Sequence, residues 1–290
     1  MGVTLAIQEY YKWEYFVHLY FFRKMEYTRA MLKTPQIMGV LNITPDSFSD
    51  GGKFNAPDLA IKRIEEMIAQ GADIIDIGGE STGLGSPPVS AEEEMKRVQP
   101  VIDKIAEKNL TEKTLFSIDT YKAPVAEYAL KHGFQMVNDV TALRGDPQMI
   151  SILLKYEPYV VLMYSKDPTP RTTKEAVEYD DVVATIKSFL LERIATLIES
   201  GFPEEKIIVD PGMGAFISSV PDYSFEVINR LKELTLLGYP ILVGISRKSC
   251  LGGRLEDRDR PSVEWSLKAI QNGASIIRIH NVRAIKSAMH

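Results

Sequence analysis

Eight short apolar runs, each four or five residues long, constrain this chain more than any other feature of it. They are Ile37–Leu41, Asp73–Ile77, Thr114–Ile118, Gln135–Asn138, Tyr159–Met163, Lys206–Val209, Pro240–Gly244 and Ser275–Ile279. Runs of this length read as buried strands. Helical patterns lie between most of them. Asp58–Gln70 brings Leu59, Ile61, Ile64, Met67 and Ile68 close to one face, and Ala91–Lys108 carries Met95, Val98, Val101, Ile102 and Ile105. Tyr179–Ser200 is a long amphipathic pattern with Gly201 placed to end it. Tyr223–Leu236 and Pro261–Asn272 are two more. Eight strands alternating with helices over about 250 residues is the count of an α/β fold of the (β/α)8 TIM-barrel type. A doubly wound open sheet is the alternative, but no GxGxxG fingerprint follows the first strand. Residues 34–290 are thus expected to form one barrel domain, preceded by an N-terminal extension over residues 1–33.

Barrel enzymes place their chemistry at the C-terminal strand ends and in the loops that follow. Here those ends are Asn42, Asp76-Ile-Gly-Gly-Glu-Ser-Thr82, Asp119, Asn138-Asp139, Met163, Asp210-Pro-Gly, Ser246-Arg247-Lys248-Ser249 and Arg278-Ile-His280-Asn281. An aspartate at a strand end is often only a helix cap. Polar groups at nearly every strand end are harder to account for in that way. Asp119, Asn138, Asp210 and Lys248 supply donors and acceptors for a flat polar heterocycle. Asn42, Arg278 and His280 suit an anionic leaving group, since arginine binds phosphate oxygens in a planar fork. The loop after the first strand is polar and glycine-rich but holds Phe48 in its middle. It reads either as a solvated turn or as a mobile cover over a ligand.

Composition narrows the class. With a formal net charge of −5 the chain has no basic face for nucleic acid. Its single cysteine, Cys250, excludes an internal disulfide and argues against a cysteine-rich metal site. The four histidines show no metal-ligand spacing. The first 33 residues are densely aromatic, with Tyr10, Tyr11, Trp13, Tyr15, Phe16, Tyr20, Phe21 and Phe22 interrupted by charges. They lack the apolar core of a signal peptide and the unbroken span of a membrane helix. A helical extension packed on the barrel or on a partner fits them best, and a cytoplasmic enzyme fits the whole.

From Thr34 onward the sequence resembles the dihydropteroate synthases, the folate-pathway family that sulfonamides inhibit. Asn42-Ile-Thr-Pro-Asp-Ser-Phe-Ser-Asp-Gly-Gly52 is similar to the family's first loop, and Asp76-Ile-Gly-Gly-Glu-Ser-Thr82 to its second. Asn138-Asp139, Asp210-Pro-Gly212, Ser246-Arg-Lys-Ser249 and Arg278-Ile-His280 follow in the family's order. The resemblance implies condensation of 6-hydroxymethyl-7,8-dihydropterin pyrophosphate with 4-aminobenzoate, giving 7,8-dihydropteroate and pyrophosphate, with Mg2+ as cofactor and a homodimeric assembly. It implies that Asp119, Asn138, Asp210 and Lys248 hold the pterin, with Met163 among the substrate contacts. By the same resemblance Asn42, Arg278 and His280 hold pyrophosphate and, through Asn42, Mg2+. Phe48, Thr82, Phe216 and Ser249 shape the aminobenzoate site. Lys248, Asp119 and Arg278 are the expected catalytic residues.

Several positions depart from the family's pattern. Gly83-Leu84-Gly85 stands where Arg-Pro-Gly is usual, and Ala215 where an aminobenzoate-lining Phe is usual, with Phe216 one residue on. This sixth-loop form is similar to that of the sulfonamide-insensitive synthases. Met163-Tyr164-Ser165 replaces Met-His-Met, and Asn281 replaces Asp. Two glycines in the second loop add backbone freedom, so the first two loops are expected to be mobile or open without ligands. Besides an active synthase, a catalytically weak pterin-binding paralogue and a pterin-dependent methyltransferase barrel share parts of this pattern.

Overall fold

The computed structural model describes residues 35–44, 56–81 and 85–289. The extension 1–33 lies outside the described residues, as do Phe48, Thr82, Gly83 and Leu84. All eight expected strands are present: β1 Gln36–Asn42, β2 Ile74–Gly78, β3 Leu115–Asp119, β4 Met136–Asp139, β5 Tyr159–Met163, β6 Ile207–Asp210, β7 Leu242–Val243 and β8 Ile276–Ile279. They pair in parallel in the order β6-β5-β4-β3-β2-β1-β8-β7. A parallel bridge between Val209 and Ile241, with Val209 N–H donating to Pro240 O at 3.0 Å, joins β6 to β7 and closes the (β/α)8 barrel.

The helices on its outside are α1 Ala56–Ala69, α2 Ala91–Glu107, α3 Ala123–Lys131, α4 Met149–Tyr156, α5 Val182–Glu199, α6 Pro221–Asn229, α7 Lys232–Thr235, α8 Asp259–Gln271 and α9 Val282–Ala288. Two boundaries differ from the periodicity. The pattern over 179–200 becomes helical only at Val182, because the Asp181 carboxylate caps Ala184 N–H (3.0 Å) while Tyr179 N–H is taken by Tyr223 Oη (3.1 Å). The pattern over 223–236 splits into α6 and α7. Gly201 has φ +93° and ends α5 as expected.

Strand alternation gives the barrel two apolar cores. Ile37, Ile75, Phe116, Val137, Val160, Ile207, Val243 and Ile277 face outward onto the helices. Met38, Ile74, Met136, Val161, Ile208, Leu242 and Ile276 fill the interior as one cluster. That second cluster plugs the barrel below its mouth and fixes which residues line the layer above.

Candidate active site

In a strand, residues two apart face the same way. Two residues beyond the interior plug stand Val40, Asp76, Asn138, Met163, Asp210, Gly244 and Arg278. Four beyond Met38 and Leu115 stand Asn42 and Asp119. The next inward layer is therefore mostly polar, and it sits on a buried apolar floor.

Its centre is a linked set of charges. Arg278 Nε donates to Asp76 Oδ2 at 2.6 Å and Nη2 to Asp119 Oδ2 at 2.6 Å. Asn138 Nδ2 donates to the same Asp76 oxygen at 3.0 Å. Asp76 is fully buried, and among the described residues its Oδ1 has no hydrogen-bond partner. Burial pushes Asp119 up to about 7, against the pull of Arg278, and Asp210 up to about 6. Burial also opposes the charge on Arg278, but Asp76 and Asp119 outweigh it and hold the guanidinium above its ordinary value. For Lys248, burial and the neighbouring Arg278 bring the ammonium below its usual range. The layer can accept N–H donors from a planar ring on carboxylates that change charge near neutral pH.

The chain segments above the strands are built to hold these groups. Asp210 Oδ1 accepts Gly212 N–H at 2.8 Å, closing a turn that needs glycine. Gly212 has φ +69°, and a Cβ there would stand 2.4 Å from Tyr164 O. Arg247 takes φ +59°, uncommon for a side chain of its size. A two-nitrogen pair to Asp259 (2.7 and 3.2 Å) and a bond from its N–H to Ser262 Oγ (2.9 Å) hold it there. Lys248 follows, with Nζ 4.5 Å from the centre of the Phe216 ring. Phe216 packs with Val140 and Met163 as a small apolar wall. Ala215 is buried beside it, so it is the ring one residue on that meets Lys248. Asp139, by contrast, is a structural residue. It accepts Thr141 N–H and Oγ–H and Leu143 N–H (2.8, 2.7 and 3.0 Å) and shapes its own loop.

His280 stands at the end of β8. Ser246 Oγ lies 2.9 Å from its Nδ1 and accepts its backbone N–H at 3.2 Å. Burial, then Arg278, Arg247 and Lys248, bring the ring down to about 3, so it is neutral at physiological pH. Beside it opens a cleft of about 410 Å³ lined by Arg63, Gln70, Arg247, His280, Asn281 and Arg283. Three guanidinium groups make this cleft attractive to anions. Asn281 caps α9 by accepting Ala284 N–H (3.1 Å), and its Nδ2 donates to Asp259 at 3.1 Å. Asn42 is exposed at the end of β1, opposite Gly78, and Ser249 is exposed at the start of a short turn. The expected contacts Phe48 and Thr82, and the expected mobility of the first two loops, fall outside the described residues. Among the described residues no three His, Cys, Asp or Glu side chains are grouped as a metal cage.

The structure brings together Asp119, Asn138, Met163, Asp210, Phe216, Lys248 and Arg278. Arg278, expected to hold the leaving group with Asn42 and His280, forks between Asp76 and Asp119. Asp76 was not among the expected site residues, although strand alternation from Ile74 was enough to turn it inward. Val140 lies just beyond the end of β4, four residues on from the interior Met136, so the same period-two count turns it inward.

A model of the family described as pterin binding enzyme matches residues 38–280. The chain is 41% identical over 253 residues to a dihydropteroate synthase of Bacillus subtilis, covering 86% of this chain and 84% of that one. Among solved structures it is similar to Xanthomonas albilineans dihydropteroate synthase with 4-aminobenzoic acid, at 37% identity and a TM-score of 0.82, over 89% of this chain and 92% of that one. It is also similar to the same enzyme in complex with 7,8-dihydropteroate, at 36% identity and a TM-score of 0.78, with the same coverage of each chain.

Proposed function

The chain belongs to the pterin-binding enzyme family and, within it, to the dihydropteroate synthases, and we propose that its barrel mouth joins 6-hydroxymethyl-7,8-dihydropterin pyrophosphate to 4-aminobenzoate. The observation that carries this reading is the inward layer of Asp119, Asn138, Asp210, Lys248 and Arg278 over an apolar floor. The carboxylates and the Asn138 amide meet the ring's N–H edge. The wall of Val140, Met163 and Phe216 takes its flat face. In the reaction the bond from the pterin methylene carbon to pyrophosphate oxygen breaks. The aniline nitrogen forms a C–N bond to that carbon and loses a proton. Buried negative charge around the ring favours the cation formed as pyrophosphate departs. Arg278, neutral His280 and Asn42 face the leaving group, with the arginine-lined cleft beside them to accept it.

Mg2+ fits here as the counter-ion that arrives with pyrophosphate. Asn42 offers one hard oxygen, and a hydrated Mg2+ that leans on substrate phosphates needs little more from protein. Bound there, Mg2+ would neutralise charge on the leaving group. The remaining parts of the proposal are a cytoplasmic location and a homodimeric assembly. Among the described residues no helix is long and apolar enough to cross a membrane.

The test is direct. Purified protein, pterin pyrophosphate, Mg2+ and labelled 4-aminobenzoate should yield labelled dihydropteroate. Pterin binding by calorimetry with no labelled product would point instead to a paralogue that binds without turnover.

A further inference from the structure

We propose that Arg171, on the connection between β5 and α5, is a positioning residue for the second substrate: it clamps the two limbs of the connection after β2. The geometry is specific. Arg171 Nη2 pairs with Glu80 Oε1 on the first limb. On the second limb Nη2 donates to Pro87 O at 2.7 Å and Nε to Ser86 O at 2.9 Å. Ser86 Oγ donates to Ser81 Oγ at 2.9 Å and ties the same limbs together a step further out.

The clamp is anchored at both ends. The other Glu80 oxygen pairs with Lys122, which also pairs with Glu94. The side chains of Glu80, Lys122 and Glu94 are only 3%, 9% and 1% exposed, so this anchor sits in the protein interior. Behind Arg171, Thr172 Oγ1 donates to Ala215 O at 2.6 Å, and Lys166 N–H donates to Phe216 O at 2.9 Å. Arg171 thus couples the β2 connection to the backbone that carries the Phe216 wall. The sequence of the β2 connection holds glycines at 83 and 85, residues with little backbone preference of their own. An arginine fork supplied from another loop fixes the spacing that the local sequence leaves open. The pterin-facing groups Asp119, Asn138 and Asp210 make no bond to this clamp, so its effect should fall on the other substrate.

Naming that substrate as 4-aminobenzoate rests on the synthase reading; the clamp does not. The experiment compares wild type with Arg171→Gln and Arg171→Lys, and Lys122 remains to neutralise Glu80 in both. Arg171→Gln should raise the KM for aminobenzoate about tenfold, with kcat and pterin affinity within about twofold. Hydrogen exchange should quicken at the amides of residues 79–81, 85 and 86 and stay unchanged in the barrel strands. Arg171→Lys keeps the ion pair but not the planar fork, and should recover part of both effects. Unchanged exchange in the two limbs overturns the proposal. So does a loss of pterin affinity in step with the rise in KM, which marks a general structural role. If wild type forms no dihydropteroate, the synthase reading fails, and the exchange and pterin calorimetry still decide the clamp.

Discussion

Asp210 shows how one side chain carries both a structural and a binding duty. Its Oδ1 closes the Asp-Pro-Gly turn, and burial lifts its titration to about 6. A pterin edge that donates N–H groups needs the ionised form. Asp210→Asn should keep the fold and weaken pterin binding roughly 10- to 150-fold, since a hydrogen bond to a charged group is worth about 1.5–3 kcal/mol. Wild-type affinity should also fall as pH drops through about 6, where the free carboxyl takes up its proton, while the Asn variant should lose that step and keep only the one near 7 that Asp119 contributes. Calorimetry on either side of that pH checks both. Equal affinity and equal pH profiles would remove Asp210 from the site. The same scale explains Arg278. Its two forked contacts orient Asp76 and Asp119 relative to each other, a duty that a lysine's single ammonium cannot perform.

At the scale of the element, the site depends on how closely α2 lies on the end of β2. Gly79 makes that approach possible. A Cβ there would stand 2.7 Å from Val98 Cγ1 and 2.9 Å from Glu94 Cγ. Gly79→Ala must push α2 away and shift Glu94 from Lys122, so it should destabilise the protein by about 1–3 kcal/mol, the usual range for overpacking. Denaturant unfolding measures this, and a midpoint equal to wild type would mean that α2 moves freely. The helices also show how local signals compete. The short helices α3 and α4, of 9 and 8 residues, carry no assignable pattern because each offers little more than two turns of periodicity. The split between α6 and α7 falls at Arg230, which forms ion pairs with Asp181, Glu226 and Glu233.

For the molecule as a whole, the polar barrel mouth makes stability depend on pH in a direction unlike that of an ordinary acidic surface. Asp119 and Asp210 titrate higher when folded than when unfolded. Between about pH 4 and 7 the folded state therefore binds more protons at these two groups, and stability falls as pH rises. His280 acts in the opposite sense, because its folded value is lowered to about 3 and the unfolded ring takes up a proton below about 6.5. Two carboxylates outweigh one imidazole. The ligand-free protein should show a higher Tm near pH 5 than near pH 8, and a Tm that rises steadily over that interval would contradict the buried-carboxylate account. Drug response is also a property of the assembled mouth. It is Phe216 rather than Ala215 that lies against Lys248, where the resemblance leads one to expect an aromatic ring at 215. Aminobenzoate turnover should persist while sulfamethoxazole binds less well than in an enzyme with the usual loops. A Ki-to-KM ratio equal to that of such an enzyme, measured side by side, would show the changes to be neutral.

Sequence by itself determined the eight strands, their inward and outward faces, and most of the groups at the mouth. Period-two alternation decides a residue's face wherever one side packs on an apolar plug, so Asp119, Asn138, Asp210 and Arg278 were readable in advance. It could not decide partners. Arg278 meets Asp76 from 202 residues away, and Arg171 meets Glu80 from 91. Those pairings exist only because the barrel closes β8 onto β1 and folds the β5 connection over the β2 connection. Tertiary structure alone also made Asp139 a loop brace rather than a ligand contact. The physical reason is the same in each case. Periodicity records which side of the backbone a group leaves from, whereas a long side chain's partner is set by whatever the closed fold brings within about 3 Å of its tip.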